Sequence, residues 1–185
     1  MSILPQRKLW TKASLVSLIL ALFLGGGYFY QMEVAGNFHP ITPGEAYRSG
    51  QLNGDKLADH IKKYHIKSIL NLRGINTGKS WYDDEIRVSN QLNVKHYDLD
   101  LSAGSEPTAE DAKRLVEIFL EAPRPILIHC MAGADRSGLA SAMWKVIIDK
   151  SPKEEAEKQL SIVYGHMPIG ETTAMDSFFL KWRAQ

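Results

Sequence analysis

The chain has 185 residues, 44% hydrophobic and 23% charged, a composition that excludes a disordered tail and a polytopic membrane protein. Its 22 Lys and Arg against 21 Asp and Glu give a formal charge of +1, without the basic excess that nucleic-acid binding needs. A single Cys excludes an internal disulfide framework and a Cys-rich zinc site.

In chain order, residues 1–12 form a short basic leader with Arg7, Lys8 and Lys12, and residues 13–32 carry no formal charge. Such a run meets the roughly 20 helical residues needed to cross a bilayer. With bases before it and acidic Glu33 after it, the positive-inside rule puts the leader in the cytoplasm and residues 37–185 outside. In a bacterium this is a single pass through the inner membrane with a periplasmic domain. The competing reading is a cleaved signal peptide with residues 15–24 as its apolar core. Three of the 22 bases and one of the 21 acids lie in residues 1–36, leaving 19 and 20 on the rest, a nearly neutral single domain.

After a Pro- and Gly-containing lead (37–44), residues 46–49 read as a short strand. Asn53 is placed to cap a helix over 55–64, with Leu57, Ile61 and Tyr64 on one face. Residues 68–72 form a second strand. A helix over 81–92 is expected to turn Trp81, Ile86 and Leu92 inward, and 94–99 read as a third strand. Thr108 to Asp111 resembles a capping box opening a helix to about Glu121, with Leu115, Ile118 and Phe119 as its apolar stripe. Residues 126–128 suit a central buried strand, and helical stretches follow at 139–149, 153–164 and 172–182. Strands alternating with helices predict an α/β fold whose mostly parallel central sheet is flanked by helices.

The chemistry concentrates in residues 128–138, Ile-His-Cys-Met-Ala-Gly-Ala-Asp-Arg-Ser-Gly. This pattern puts Cys130 at the C-terminal end of a strand, where open α/β sheets bind ligands. A loop entering a helix aims backbone N–H groups at one point and makes an anion site from Met131, Ala132, Gly133, Ala134, Asp135 and Arg136. Arg136 adds a planar fork for two phosphate oxygens, and the surrounding positive field favours the thiolate form of Cys130. Ser137 is placed to donate to the sulfur, and His129 to orient the loop. The competing reading, an inert buried thiol, has no use for this Gly-rich cradle. Arg48 and Arg73 near strand ends either line the cleft or form ion pairs. His39, His60, His65, His96 and His166 show no metal-ligand spacing.

The sequence His129-Cys130-x-x-Gly133-x-x-Arg136-Ser137-Gly138 resembles the signature of the cysteine-dependent protein tyrosine and dual-specificity phosphatases. Residues 43–51 and 68–73 extend the similarity to small bacterial, membrane-anchored members. The resemblance implies a dual-specificity-phosphatase-like fold and a two-step phosphoryl transfer. Cys130 attacks phosphorus, an acid protonates the leaving oxygen, and water hydrolyses the cysteinyl phosphate, with no metal or cofactor. Family position suggests Asp100 as that acid, with Asp98 as the near alternative. Asp135, inside the loop, resembles the acid of myotubularin-type and some bacterial lipid-directed phosphatases; its bland role is to anchor Arg136 or cap the helix.

The leading expectation is hydrolysis of phosphotyrosine, with phosphoserine and phosphothreonine as extensions, on exported proteins. The alternative is a phospholipid or other non-protein phosphate at the membrane. A non-catalytic phosphate-binding module is disfavoured because Cys130 and Arg136 are both present.

Overall fold

A computed structural model describes the backbone of residues 4–183 and the side chains of residues 16–183. The basic side chains of Arg7, Lys8 and Lys12, expected to orient the leader, lie outside the described ones. Helix α1 (Leu4–Phe29) continues into a π-helical turn, Tyr30–Val34. Residues 16–30 are all exposed, and the segment Val16–Val34 is long and apolar enough to cross a membrane.

Five strands form one sheet: β1 (His39–Thr42), β2 (Ala46–Ser49), β3 (Ser68–Asn71), β4 (Lys95–Asp98) and β5 (Ile126–His129). Their spatial order is β1-β2-β5-β3-β4, with β1 antiparallel at one edge and the other four parallel. The expected central strand is β5, buried along its length and paired on both sides. Side chains alternate across it. Ile126 and Ile128 join Leu70, Phe119, Met143 and Trp144 in one core, while Leu127 joins Ile69, Leu57, Ile61 and Val88 in the other. Helices α2 (Gly54–Tyr64) and α3 (Ser80–Gln91) cover the second face; α4 (Ala109–Glu121), α5 (Asp135–Ile147) and α7 (Thr173–Lys181) cover the first. The short helix α6 (Lys153–Ala156) follows α5. Both caps read from sequence are present: Asn53 accepts from Lys56 N–H, and Thr108 and Asp111 form a reciprocal capping box.

Four local expectations change. Strand β1 lies in what reads as a lead; Pro40 masks it, and an edge strand tolerates proline because one side of it needs no ladder partner. The buried stripe of α3 is Tyr82, Glu85, Val88 and Ser89, with Trp81, Ile86 and Leu92 only half-buried. Helix α5 starts at Asp135, four residues earlier than its apolar pattern suggests. The stretch 153–164 breaks after α6 into two 3-10 turns and ends at Gly165, whose φ is +82°.

Candidate active site

Strand β5 delivers Cys130, 2% exposed, to the C-terminal edge of the sheet at its centre, and α5 leaves five residues later. Between them the backbone doubles back at Gly133, whose φ is +74° and where a Cβ would overlap Gly50 N and the Ser49 carbonyl. Four successive carbonyls of this loop are held from outside. Met131 O accepts from Gln51 N–H (2.9 Å), Ala132 O from Asn37 Nδ2 (3.0 Å), and Gly133 O and Ala134 O from Arg48 Nη2 (2.9 and 3.0 Å). Each peptide plane holds its N–H opposite its C=O, so the N–H groups of residues 132–135 turn toward the other side of the loop. Gly133 N–H already donates to Cys130 Sγ at 3.3 Å. These ties give the loop the geometry of an anion-binding loop.

Arg48 is the main strut. Fully buried, it also donates to Gln159 O (2.7 Å) and lies 4.4 Å from the Tyr164 ring centroid. Burial lowers its pKa to about 10, offset in part by Cys130, Tyr164 and Asp135, so it stays cationic at neutral pH behind the loop. A Cβ at Gly138 would meet Leu160 at 2.9 Å and Arg48 Nη2 at 3.2 Å, which explains the small residue there. Of the two sequence readings of Arg48, it is neither in an ion pair nor in the cleft; it holds the loop.

Arg136 spans the cleft. Its Nη1 donates to Leu72 O (3.3 Å) and Leu101 O (3.2 Å), while its Nε is buried with no protein partner. A buried guanidinium N–H without a protein partner suits a phosphate oxygen. Arg73 stacks over Trp81 at 3.6 Å and donates to Gln51 Oε1 (2.9 Å). Its pKa is lowered by burial first and then by the charge of Arg136, with Cys130 and Glu85 acting the other way.

His129, expected to orient the loop, is buried and tied to α3. Its Nε2 meets Glu85 Oε1 at 3.0 Å, and Glu85 also receives His96 Nε2 (2.8 Å) and Gln51 Nε2 (2.7 Å). Burial works against the Glu85 carboxylate, yet the charge and hydrogen bond of His129, with those of His96 and Gln51, hold it well below the usual carboxylate range. Burial likewise works against His96, but hydrogen bonds to Asp98 and Glu85 raise its pKa to about 9. Glu85 and Asn37 are the site residues that sequence reasoning missed. A Glu in a polar helix and an Asn in a Gly-rich lead give no signal of burial.

Ser137 Oγ faces Ser49 O at 3.5 Å rather than the sulfur. Asp100 is exposed just past β4, its backbone bridged to Arg73 and its side chain packed over Gly74, whose φ is +68°. Asp98 is committed elsewhere, to Asn71 Nδ2 (2.8 Å), Tyr82 OH (2.9 Å) and His96 (3.4 Å). Asp135 Oδ1 pairs with His166 Nδ1 (2.7 Å), and the other ring nitrogen of this buried His meets Asp176 Oδ2 (2.9 Å). Burial lowers the His166 pKa, but the bonds to Asp135 and Asp176 raise it overall. Among the described residues no group of three His, Cys, Asp or Glu side chains is arranged for a metal ion.

Comparison with known proteins fits this geometry. No curated protein sequence matches the chain. The crystal structure of P. aeruginosa TpbA, 19% identical, superposes with a TM-score of 0.62 over 82% of this chain and 88% of that one. The catalytic core of SIW14, a PP-IP phosphatase from S. cerevisiae, is also 19% identical, with a TM-score of 0.64 over 80% and 85%. PTPMT1 in complex with PI(5)P is 16% identical, with a TM-score of 0.55 over 78% and 95%. At these identities the likeness shows the fold. The family model described as the DSP-PTPase phosphatase fused to NAD+ kinase matches residues 44–177, which contain the whole Cys130–Arg136 loop. With most of the chain inside that match, the protein belongs to this family of cysteine-dependent dual-specificity phosphatases.

Proposed function

We propose that the protein hydrolyses phosphate monoesters through a cysteinyl-phosphate intermediate, with residues 13–32 as a membrane anchor and residues 37–185 as a phosphatase domain outside the cytoplasm. The observation that carries the reading is the loop itself: four carbonyls held outward, Gly133 N–H on the sulfur, and Arg136 at its end with a buried, unpartnered Nε. Cys130 Sγ attacks phosphorus, forming an S–P bond as the ester P–O bond breaks. Asp100 gives its proton to the leaving oxygen. Water then attacks the phosphoryl group, Asp100 takes a proton from it, and orthophosphate departs as the thiolate is restored. The N–H cradle and Arg136 carry the charge that builds on the equatorial oxygens, so the protein's own donors do the electrostatic work.

TpbA was also crystallised with pTyr and PTPMT1 with PI(5)P. The loop accepts any monoester whose phosphate reaches the sulfur, phosphotyrosine included, and selection falls to the surface around it. Kinetics on p-nitrophenyl phosphate test the chemistry. Cys130→Ser should abolish turnover while retaining vanadate binding, and Arg136→Ala should lower kcat by about 10²–10³. Turnover by Cys130→Ser at the wild-type rate refutes the assignment.

A further inference from the structure

The end of the apolar helix is tied directly to the loop that carries Cys130. Tyr28, near the end of α1, donates its hydroxyl to Ile162 O at 3.0 Å. Met32 Sδ lies 3.1 Å from where a Cβ on Gly165 would sit. Gly36 O accepts from Gly50 N–H at 2.8 Å. Asn37, fully buried with a φ of +50°, reaches both Ala132 O (3.0 Å) and Tyr164 O (2.9 Å). These ties fix the orientation of the domain against the helix end.

Between the helix end and the loop lies a cavity of about 420 Å³, bordered by Tyr28, Phe29 and Met32 on one side and by Gln51 and Met131 on the other. That volume falls within the range of small-molecule sites. Among the described residues, Glu33 is its one formally charged lining residue. Gln51 bonds Arg73, and Met131, 64% exposed, follows Cys130 in the chain, so the cavity ends at the border of the phosphate cradle. Beside it the turn Ile162–Tyr164 presents Ile162 and Val163, each 63% exposed. Tyr28 fixes their depth. It lies about 6 Å before Met32 along the helix, at the level where interfacial aromatics sit. If α1 spans the bilayer, these two side chains dip into the headgroup and acyl boundary.

Resting on the reading of Cys130 as the nucleophile and α1 as the anchor, we infer that the substrate is a membrane lipid ending in a single phosphomonoester, which approaches Cys130 along this cavity. The apolar wall of Tyr28, Phe29 and Met32 takes the upper part of the chains. Arg136 and Arg73 receive one phosphate, and Met131, Ala132 and Ala134 supply no cation for a second. The phosphoryl group passes from the lipid oxygen to Cys130 and then to water. The lipid alcohol, protonated on leaving, stays in the bilayer, and orthophosphate goes to the aqueous side. A phosphopeptide gains nothing from an apolar approach at membrane depth.

The full chain, reconstituted in phosphatidylcholine vesicles doped with phosphatidic acid, tests this. Phosphate release from the vesicles should exceed that from a phosphotyrosine peptide and from water-soluble dibutyryl phosphatidic acid at equal concentration. Ile162→Asp and Val163→Asp should each slow vesicle hydrolysis about tenfold, the scale of losing one buried aliphatic side chain, with p-nitrophenyl phosphate turnover unchanged. Faster cleavage of the phosphopeptide, or vesicle hydrolysis indifferent to both substitutions, overturns the lipid assignment. The comparison among wild-type substrates stands even if a variant folds poorly. Failure of the underlying reading has a different signature, namely p-nitrophenyl phosphate turnover that survives Cys130→Ser.

Discussion

At the scale of single residues, the two carboxylates competing for the acid role have different surroundings. Asp135 already accepts from His166, which Asp176 braces from the other side, so it is anchored at the first turn of α5. Asp100 has no such tie and stands exposed beside Arg73 and Gly74. Asp100→Asn should therefore cost about 10²–10⁴ in kcat on alkyl phosphates, and far less on p-nitrophenyl phosphate, whose leaving group needs little protonation. The alkaline limb of the pH profile should flatten in the same variant. Asp135→Asn should instead weaken vanadate binding and lower all substrates in proportion. The reverse pattern in paired leaving-group series transfers the acid role to Asp135. Cys130, Arg136 and the loop between them were legible as a candidate site because one contiguous motif carries them. The sequence left Asp100 and Asp135 both open as the acid, because what separates them is which carboxylate the fold leaves unpaired.

At the scale of elements, α3 steadies the segment before Cys130 through one buried charge. Glu85 ties α3 to His129 at the end of β5, to His96 in β4 and to Gln51 after β2. Glu85→Gln removes the charge between two imidazoles and should cost about 3–5 kcal/mol, measured by denaturant unfolding of the full chain in detergent. The network also predicts a pH window. Glu85, held low, contributes stability that is present above the ordinary carboxylate value of 4.5 and lost as pH falls beneath it. His96, raised from 6.5 to about 9, contributes stability that is complete below pH 6.5 and lost as pH rises through about 9. Thermal midpoints should thus be highest between pH 4.5 and 6.5, and His96→Gln should flatten the fall toward pH 9. A wild-type midpoint that climbs from pH 6.5 to 9 contradicts this network. Regular elements with strong caps or apolar runs were legible, as at Asn53, Thr108 and β5. The inward face of α3 was not, because its stripe contains a Glu and a Ser that only tertiary partners make tolerable.

At the scale of the whole molecule, an exposed apolar helix is joined by close ties to a domain whose central strand ends at His129, just before Cys130. The alternation of strands and helices was enough to predict the layered fold, whereas Pro40 masks the antiparallel edge strand and the contact between helix end and loop joins residues distant in sequence that carry no local pattern. The orientation read from Arg7, Lys8, Lys12 and Glu33 predicts that a C-terminal reporter works only outside the cytoplasm and that the full chain resists carbonate extraction. A reporter active only in the cytoplasm reverses the topology.

A cysteinyl phosphate is a covalent species that can be trapped during turnover. Full-length protein turning over p-nitrophenyl phosphate is quenched within a turnover, digested, and mapped by mass spectrometry under conditions that preserve thiophosphates. One added phosphoryl group is expected on the peptide containing Cys130, and it should disappear in Cys130→Ser. A phosphoryl group on His129 or Asp135 instead, or steady turnover with Cys130 never modified, contradicts a cysteinyl-phosphate intermediate.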